Sequence, residues 1–158
     1  MTNLFPGRYT AQVEGPFVVF LVGMRINYFW KIHQWLPVAM AMPSLIKALE
    51  KDPAKGYLHG EFFVYKRGAA WVQYWRSWED LERFARSPEE PHLAAWQMFN
   101  RKMSVNGSVG IWHETYRVEA GKSESIYNNM PVFGLAKAGL HIPADADYEA
   151  SRKGKSFG

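Results

Sequence analysis

The sequence of 158 residues contains no cysteine. This absence excludes a disulfide framework, a thiolate zinc site and a cysteine nucleophile, and it makes the cytoplasm the expected compartment. The longest apolar run, residues 17–23, is far shorter than the roughly 20 residues that span a bilayer, so no membrane partner is expected. The start of the chain has neither the basic segment nor the long apolar core of a signal peptide.

Several motifs of common enzyme classes are also missing. The chain has no glycine-rich phosphate loop and no Gly-x-Ser-x-Gly elbow, which argues against nucleotide-dependent transfer and hydrolase chemistry. No two histidines stand at i, i+4 beside a carboxylate, so no metal site is predicted. The net charge of +4 is spread along the chain and is densest at residues 152–155, so no nucleic-acid partner is expected.

Aromatic residues, in contrast, are abundant. They make up 16% of the chain, with 7 Trp, 8 Tyr and 10 Phe. Rings carry large apolar area, so they can fill a core and still line a pocket or a partner interface. The length fits a single domain.

The first half of the sequence predicts a strand, a helix and a hairpin. Residues 17–22 are apolar without polar alternation, which is typical of a central strand buried on both faces. An apolar stripe then recurs every three or four residues and predicts a helix that ends before Pro53 and is broken or kinked by Pro37 and Pro43. Residues 57–74 resemble two antiparallel strands around a turn with glycine.

The second half predicts two helix starts and one more strand. Ser77 has the form of a helix cap, with acidic residues following it. Ser87 repeats this signal before a face that carries His92, Trp96 and Phe99. Residues 111–118 predict the last strand.

This order predicts an α+β, ferredoxin-like βαββαβ fold with a four-stranded antiparallel sheet and helices on one face. The other face carries too many large apolar groups to meet water, so we expect a second copy to cover it in a homodimer. The predicted organisation is an N-terminal arm at residues 1–16, a domain at 17–139 and a loose C-terminal tail at 140–158.

Several segments resemble the ABM-type (antibiotic-biosynthesis-type) monooxygenases. Residues 74–81 (YWRSWEDL) are similar to the junction after the third strand in these proteins, and Ser87-Pro88 with residues 92–96 (HLAAW) is similar to their Ser-Pro-His segment. A more specific set resembles an uncharacterised family grouped with the fumagillin-pathway ABM-type monooxygenase: residues 72–77, 99–101, 109–116 and 127–131.

The resemblance implies a dimeric α/β barrel and oxidation of a small hydrophobic substrate by molecular oxygen, in secondary metabolism and without a cofactor. Related barrels also include haem-binding lyases and oxygenases of the aldoxime-dehydratase kind, and binding proteins without catalysis. In haem-degrading relatives the iron ligand is a histidine where Trp96 stands here, so haem would need His92 instead. These alternatives stay open.

The candidate site residues follow from this resemblance and from residue chemistry. His92 is the candidate base, because imidazole exchanges a proton near neutral pH; the alternative is a hydrogen-bonded core histidine. His113 and Asn27 are candidate polar groups of the catalytic site; for His113 a polar group of the sheet or of the dimer interface is the stronger alternative. Candidate substrate-binding residues are Trp75, Trp96, Phe99 and Arg25. For Trp75 a core ring is an equal alternative, and for Arg25 and Asn27 a polar turn is the stronger one.

His59 and Glu61 share one strand face and are a secondary candidate pair for acid–base chemistry. Two polar groups on a strand more often face solvent.

Overall fold

The structure, a computed structural model, describes residues 3–88, 107–145 and 148. Its elements follow along the chain as β1 (Phe5–Gln12), β2 (Phe17–Ile26), α1 (Ile32–Glu50), β3 (Tyr57–Tyr65), β4 (Gly68–Trp75), α2 (Trp78–Arg86), β5 (Val109–Val118), β6 (Tyr127–Met130), α3 (Leu135–Ala138) and β7 (Leu140–Pro143). A single turn of 3-10 helix, Pro53–Lys55, joins α1 to β3.

The apolar run that begins at Phe17 becomes β2, an inner strand of a four-stranded sheet. The strand order is β3-β4-β2-β5, and every neighbouring pair is antiparallel. Phe17 and Val18 point to opposite faces and are both buried, as expected for a strand covered on both sides. With α1 and α2 in the chain order, this is the βαββαβ arrangement of the ferredoxin-like fold. The predicted α+β fold class is confirmed.

Helices α1 and α2 cover one face of this sheet, which we call the helix-facing side. Trp71 and Trp75 of β4 and Val18 of β2 form one buried cluster with Leu49 of α1 and Leu81 of α2. Full burial of a large apolar side chain stabilises the fold by about 1.5–3 kcal/mol. This cluster therefore holds both helices on the sheet.

Helix α1 is continuous through Pro37 and Pro43, so the prolines do not break it as the sequence allowed, and a kink stays a prediction. Each proline removes one helical hydrogen bond. The apolar side of the helix is packed on both sides of the prolines, with Trp35 and Val38 against one buried cluster and Leu45 against the other. Tertiary packing of this kind supplies most of a helix's stability, which explains the continuous helix.

A second sheet, with strand order β6-β1-β7, was not predicted from the sequence. Its strand β1 contains Pro6 and Gly7, which are rare in strands, and a register shift interrupts its pairing with β6. The predicted arm, residues 1–16, thus contains β1, and the predicted tail, residues 140–158, begins with β7.

Helix α2 begins at the predicted cap. The Ser77 hydroxyl accepts a hydrogen bond from the backbone N–H of Asp80 at 3.1 Å. The buried Asp80 carboxylate also receives hydrogen bonds from Arg76 at 2.8 Å and Arg83 at 3.0 Å. The hydrogen bond from Arg76 is the main reason why the pKa of Asp80 lies below its ordinary value.

Replacing Asp80 by asparagine is expected to lower the melting temperature by several degrees at neutral pH, because two charge-assisted hydrogen bonds are weakened. A carboxylate whose pKa is lower in the folded than in the unfolded protein stabilises the fold. This contribution is complete above the pKa of an unfolded aspartate, about 4, and it is lost as the pH falls through the lower pKa of the folded state. The difference from wild type should therefore shrink below about pH 4. Thermal unfolding at several pH values measures it. The control is Glu79→Gln, which changes an exposed acid in the same helical turn. An equal fall in melting temperature in this variant would contradict the stabilising role of the Asp80 carboxylate.

Candidate active site

The candidate site is the helix-facing side of the four-stranded sheet, where aromatic and polar residues of three strands stand side by side. Residues directly opposite each other on paired strands point to the same face. The rows across β4, β2 and β5 are Gln73–Phe20–Thr115 and Trp71–Val22–His113. A polar side chain thus flanks an apolar one in each row, and this alternation is what a pocket for a mostly apolar ligand needs.

His113 is the candidate site residue that the structure places on this face with an accessible side chain. It lies on β5 and is exposed, and its ring centroid is 5.8 Å from that of Phe20. Thr115 follows on the same side. His113 and Phe20 together form an imidazole–aromatic pair at the surface of the sheet.

Trp75 lies on the same face but is completely enclosed, with 0% of its surface accessible. Its indole N–H donates to the Gln73 side-chain oxygen at 2.8 Å. Its ring packs against Tyr57 and Phe84, at centroid distances of 5.6 and 5.3 Å. A ring without accessible surface borders no space that water can enter, so this placement favours the core interpretation of Trp75 over a substrate-contacting wall.

Two buried polar atoms near Trp75 were not considered from the sequence. Among the described residues, the Tyr57 hydroxyl and the Trp71 indole nitrogen have no hydrogen-bond partner. Gly60 brings them together, because a Cβ on Gly60 would overlap both atoms. Burial, supported by the nearby charge of Glu50, raises the pKa of Tyr57 well above its ordinary value. A glycine in mid-strand was the signal in the sequence for this close approach.

Arg25 and Asn27 do not join His113. Arg25 stands opposite Gly68 and Gly110, which places it on the other face of the sheet. Its guanidinium donates to the Asn27 side-chain oxygen, and the Asn27 amide donates to the Gly107 carbonyl at 2.8 Å. The pair therefore ties the end of β2 to the start of β5, in agreement with the polar-turn interpretation.

His59 and Glu61 form the contact that their spacing predicted, with 3.0 Å between the imidazole and the carboxylate. The same Glu61 oxygen accepts from the Gly134 N–H and from the Lys137 ammonium, each at 3.1 Å. Burial alone would raise the pKa of Glu61, but the hydrogen bonds from His59, Gly134 and Lys137 outweigh it, so the pKa is lowered. The pair lies on the face of the sheet opposite α1 and α2, where it fastens α3 to β3.

The remaining candidates, His92, Trp96 and Phe99, lie outside the described residues. Their roles stay predictions. Within residues 3–88, 107–145 and 148, no group of three histidine or carboxylate side chains is placed to hold a metal ion.

The sequence profile of the Monooxygenase af470-like family matches residues 17–135, from the first residue of β2 to the first residue of α3. The chain belongs to this family. The predicted membership of a monooxygenase family is thereby confirmed, whereas the grouping with the fumagillin-pathway enzyme stays a prediction. Among curated proteins, none matches this member of the Monooxygenase af470-like family.

Solved structures that resemble this af470-like chain are distant in sequence. SnoaB, a cofactor-independent oxygenase from Streptomyces nogalater, has 11% identity over 63% of this chain and 90% of its own, with a TM-score of 0.44. A dimeric protein with a ferredoxin-like fold from Bacteroides fragilis has 18% identity over 65% and 95%, with a TM-score of 0.45. A protein from Shewanella oneidensis has 14% identity over 75% and 97%, with a TM-score of 0.43. At TM-scores below 0.5, none of these bears on the activity or the assembly of this chain.

Proposed function

We propose that the protein is a cofactor-independent monooxygenase that oxidises a small hydrophobic molecule with molecular oxygen, as a cytoplasmic homodimer in secondary metabolism. Membership of a monooxygenase family supports the reaction class. The observation that supports the substrate class is the helix-facing side of the sheet, where His113 stands beside Phe20 among aromatic side chains. Such a surface binds an apolar ring system and orients one polar group of it.

In this scheme the substrate is the only reductant. A base removes one proton from an acidic CH₂ group, and the carbanion passes an electron to oxygen. The carbon radical and superoxide then combine into a peroxide with a new C–O bond. Loss of water from the protonated peroxide leaves a carbonyl, so one oxygen atom enters the product and the other leaves as water. The protein supplies the base, the orientation of the substrate and stabilisation of the developing charge.

The proposed roles combine sequence and structure. His92 is the base, and Trp96 and Phe99 contact the substrate. His113 is the polar anchor on the sheet, since its side chain is accessible on the helix-facing side. Asn27 is the weaker anchor, because both ends of its amide are already used by Arg25 and Gly107.

An oxygen-uptake experiment tests this function. Purified protein is mixed with an anthrone, a tricyclic probe whose CH₂ is acidic, in buffer that contains no flavin or added metal. We expect protein-dependent uptake of one oxygen molecule per quinone formed, with label from ¹⁸O₂ in the product. The absorption spectrum, recorded with and without added haem, is the control. A Soret band together with haem-dependent turnover would favour the haem enzyme, and tight anthrone binding without uptake would favour a binding protein.

The proposed dimer interface is the face of the sheet opposite α1 and α2, which is only partly covered. Phe133 contacts Phe63 edge-on there, with 6.2 Å between centroids, whereas Tyr65 and Tyr116 stay exposed. A second copy on this face would remove these rings from water. Light scattering at micromolar concentration is expected to give about twice 18.2 kDa. A persistent monomer would rule out the dimeric barrel.

A further inference from the structure

One end of the molecule exposes an unusual concentration of apolar side chains. They belong to the loop between β2 and α1 and to the outward side of the first half of α1, and we call this surface the aromatic end. Trp30 is 74% exposed and Met40 is 66% exposed. The other exposed apolar members are Tyr28, Phe29, Ile32 and Leu36.

The helical part of the aromatic end forms a continuous stripe. Ile32, Leu36 and Met40 follow at intervals of four residues, which places them on one side of α1. Pro37 and Pro43 are exposed as well. Between Lys31 and Lys47 the only titratable side chain of the helix is His33. An outward helix face with so little charge is uncommon in a protein that meets only water.

The charges of the chain segment that carries the aromatic end are of one sign. No acidic residue occurs between Glu14 and Glu50, whereas Arg25, Lys31 and Lys47 fall within that stretch. The neighbouring turn between β3 and β4 adds Lys66 and Arg67. Two of these cations border the aromatic rings directly, since Lys31 lies 4.9 Å from the ring centre of Tyr28 and Arg67 lies 4.8 Å from that of Phe29.

We infer that the aromatic end docks the protein onto the surface of an anionic lipid bilayer. Trp, Tyr and Phe side chains favour the interface between headgroups and acyl chains, and lysine and arginine at its rim are attracted to anionic headgroups. Among the described residues, no helix has the length and hydropathy to cross a bilayer. The expected attachment is therefore peripheral, with α1 lying in the plane of the surface. The short apolar runs of the sequence predicted no membrane partner, but the length of a run bears only on segments that span a bilayer.

Charge argues for a bilayer over a second copy of the chain at this surface. A two-fold interface would place the aromatic end of one copy against that of the other, so that Lys31, Lys66 and Arg67 of both copies would share one interface, to which residues 15–49 bring no carboxylate. An anionic headgroup layer neutralises all of them at once. This inference does not depend on the proposed oxygenase activity, because it concerns where the protein binds.

Vesicle co-sedimentation tests the inference. The vesicles consist of phosphatidylcholine alone, or of roughly four parts phosphatidylcholine to one part phosphatidylserine. We expect the full chain to bind the anionic vesicles and to bind neutral ones at least ~10-fold more weakly. Trp30→Ala should weaken binding to both kinds of vesicle, and Lys31→Glu should weaken binding to anionic vesicles on the order of 10-fold.

Matched controls use exposed residues elsewhere in the fold. Leu140→Ala, on β7, removes apolar surface away from the aromatic end, and Lys122→Glu reverses a charge in the loop after β5. Both should bind like wild type, and all variants should keep the wild-type melting temperature. Equal binding by Trp30→Ala, Lys31→Glu and the two controls would overturn the inference. The inference would also be overturned if the wild-type protein bound no vesicles and Trp30→Ala weakened self-association. The aromatic end would then be an interface between two copies of the chain.

Discussion

Replacing Trp75 by alanine is expected to lower the free energy of unfolding by about 3–5 kcal/mol, the usual cost of removing a large ring from a packed core. The ring has no accessible surface, and it contacts Tyr57 and Phe84. The change also removes the indole N–H, so that the Gln73 oxygen loses a partner at a buried position. Since domains of this kind are stable by about 5–15 kcal/mol, the variant should be close to unfolding at 37 °C.

Urea unfolding followed by circular dichroism measures the effect. Trp75→Phe keeps a six-membered ring in place but loses the indole N–H and part of the buried volume, so it should cost less, about 1–3 kcal/mol. Trp30→Ala removes the same side chain from an exposed position and should change stability by less than about 0.5 kcal/mol. If Trp75→Ala stays stable but loses affinity for the anthrone, the ring contacts substrate and is not a core residue.

Structural features that depend on residues close together in the chain were predictable from the sequence. The apolar run from Phe17 could only be a covered strand, and it is the inner strand β2. The Ser77 cap depends on residues three apart, and it forms as predicted. The end of α1 at Glu50, just before Pro53, follows from the steric effect of proline on the residues before it.

Features that depend on distant partners were not predictable. β1 becomes a strand because β6 and β7, more than 110 residues away, pair with it, and its own residues favour a strand weakly. The enclosure of Trp75 depends on Tyr57 and on helix α2. The unpaired atoms of Tyr57 and Trp71 meet only because Gly60 lets both approach one strand. The mid-strand glycine signals a close approach, but no spacing in the sequence tells which two side chains meet there.

The candidate site likewise contains one contact that the sequence predicts and one separation that it does not. His59 and Glu61 are neighbours on one strand face, and their contact follows from the two-residue period of a strand. The separation of Arg25 from His113 depends instead on the register between β2 and β5, which sets the face on which each lies. Residue type alone had placed both in one site.

Replacing His92 by glutamine is expected to reduce turnover by a factor on the order of 100, because glutamine keeps hydrogen-bonding capacity but cannot accept the proton of the substrate. The dimer and the melting temperature should stay as in wild type. His113→Gln is the matched comparison, since it makes the same change at the accessible histidine of β5. As a polar anchor, His113 should mainly affect KM, with kcat nearly unchanged.

The pH dependence of kcat separates the roles of the two histidines. If His92 is the base, kcat of wild type should rise with pH through the range around 6.5 where imidazole ordinarily titrates, because only the neutral ring accepts a proton. His113→Gln should keep that rise, and His92→Gln should lose it. Unchanged turnover in His92→Gln with stability lower by about 1–3 kcal/mol would instead assign His92 to a structural hydrogen bond. A loss of both turnover and the pH-dependent rise in His113→Gln alone would move the base to β5, where the exposed imidazole lies beside Phe20.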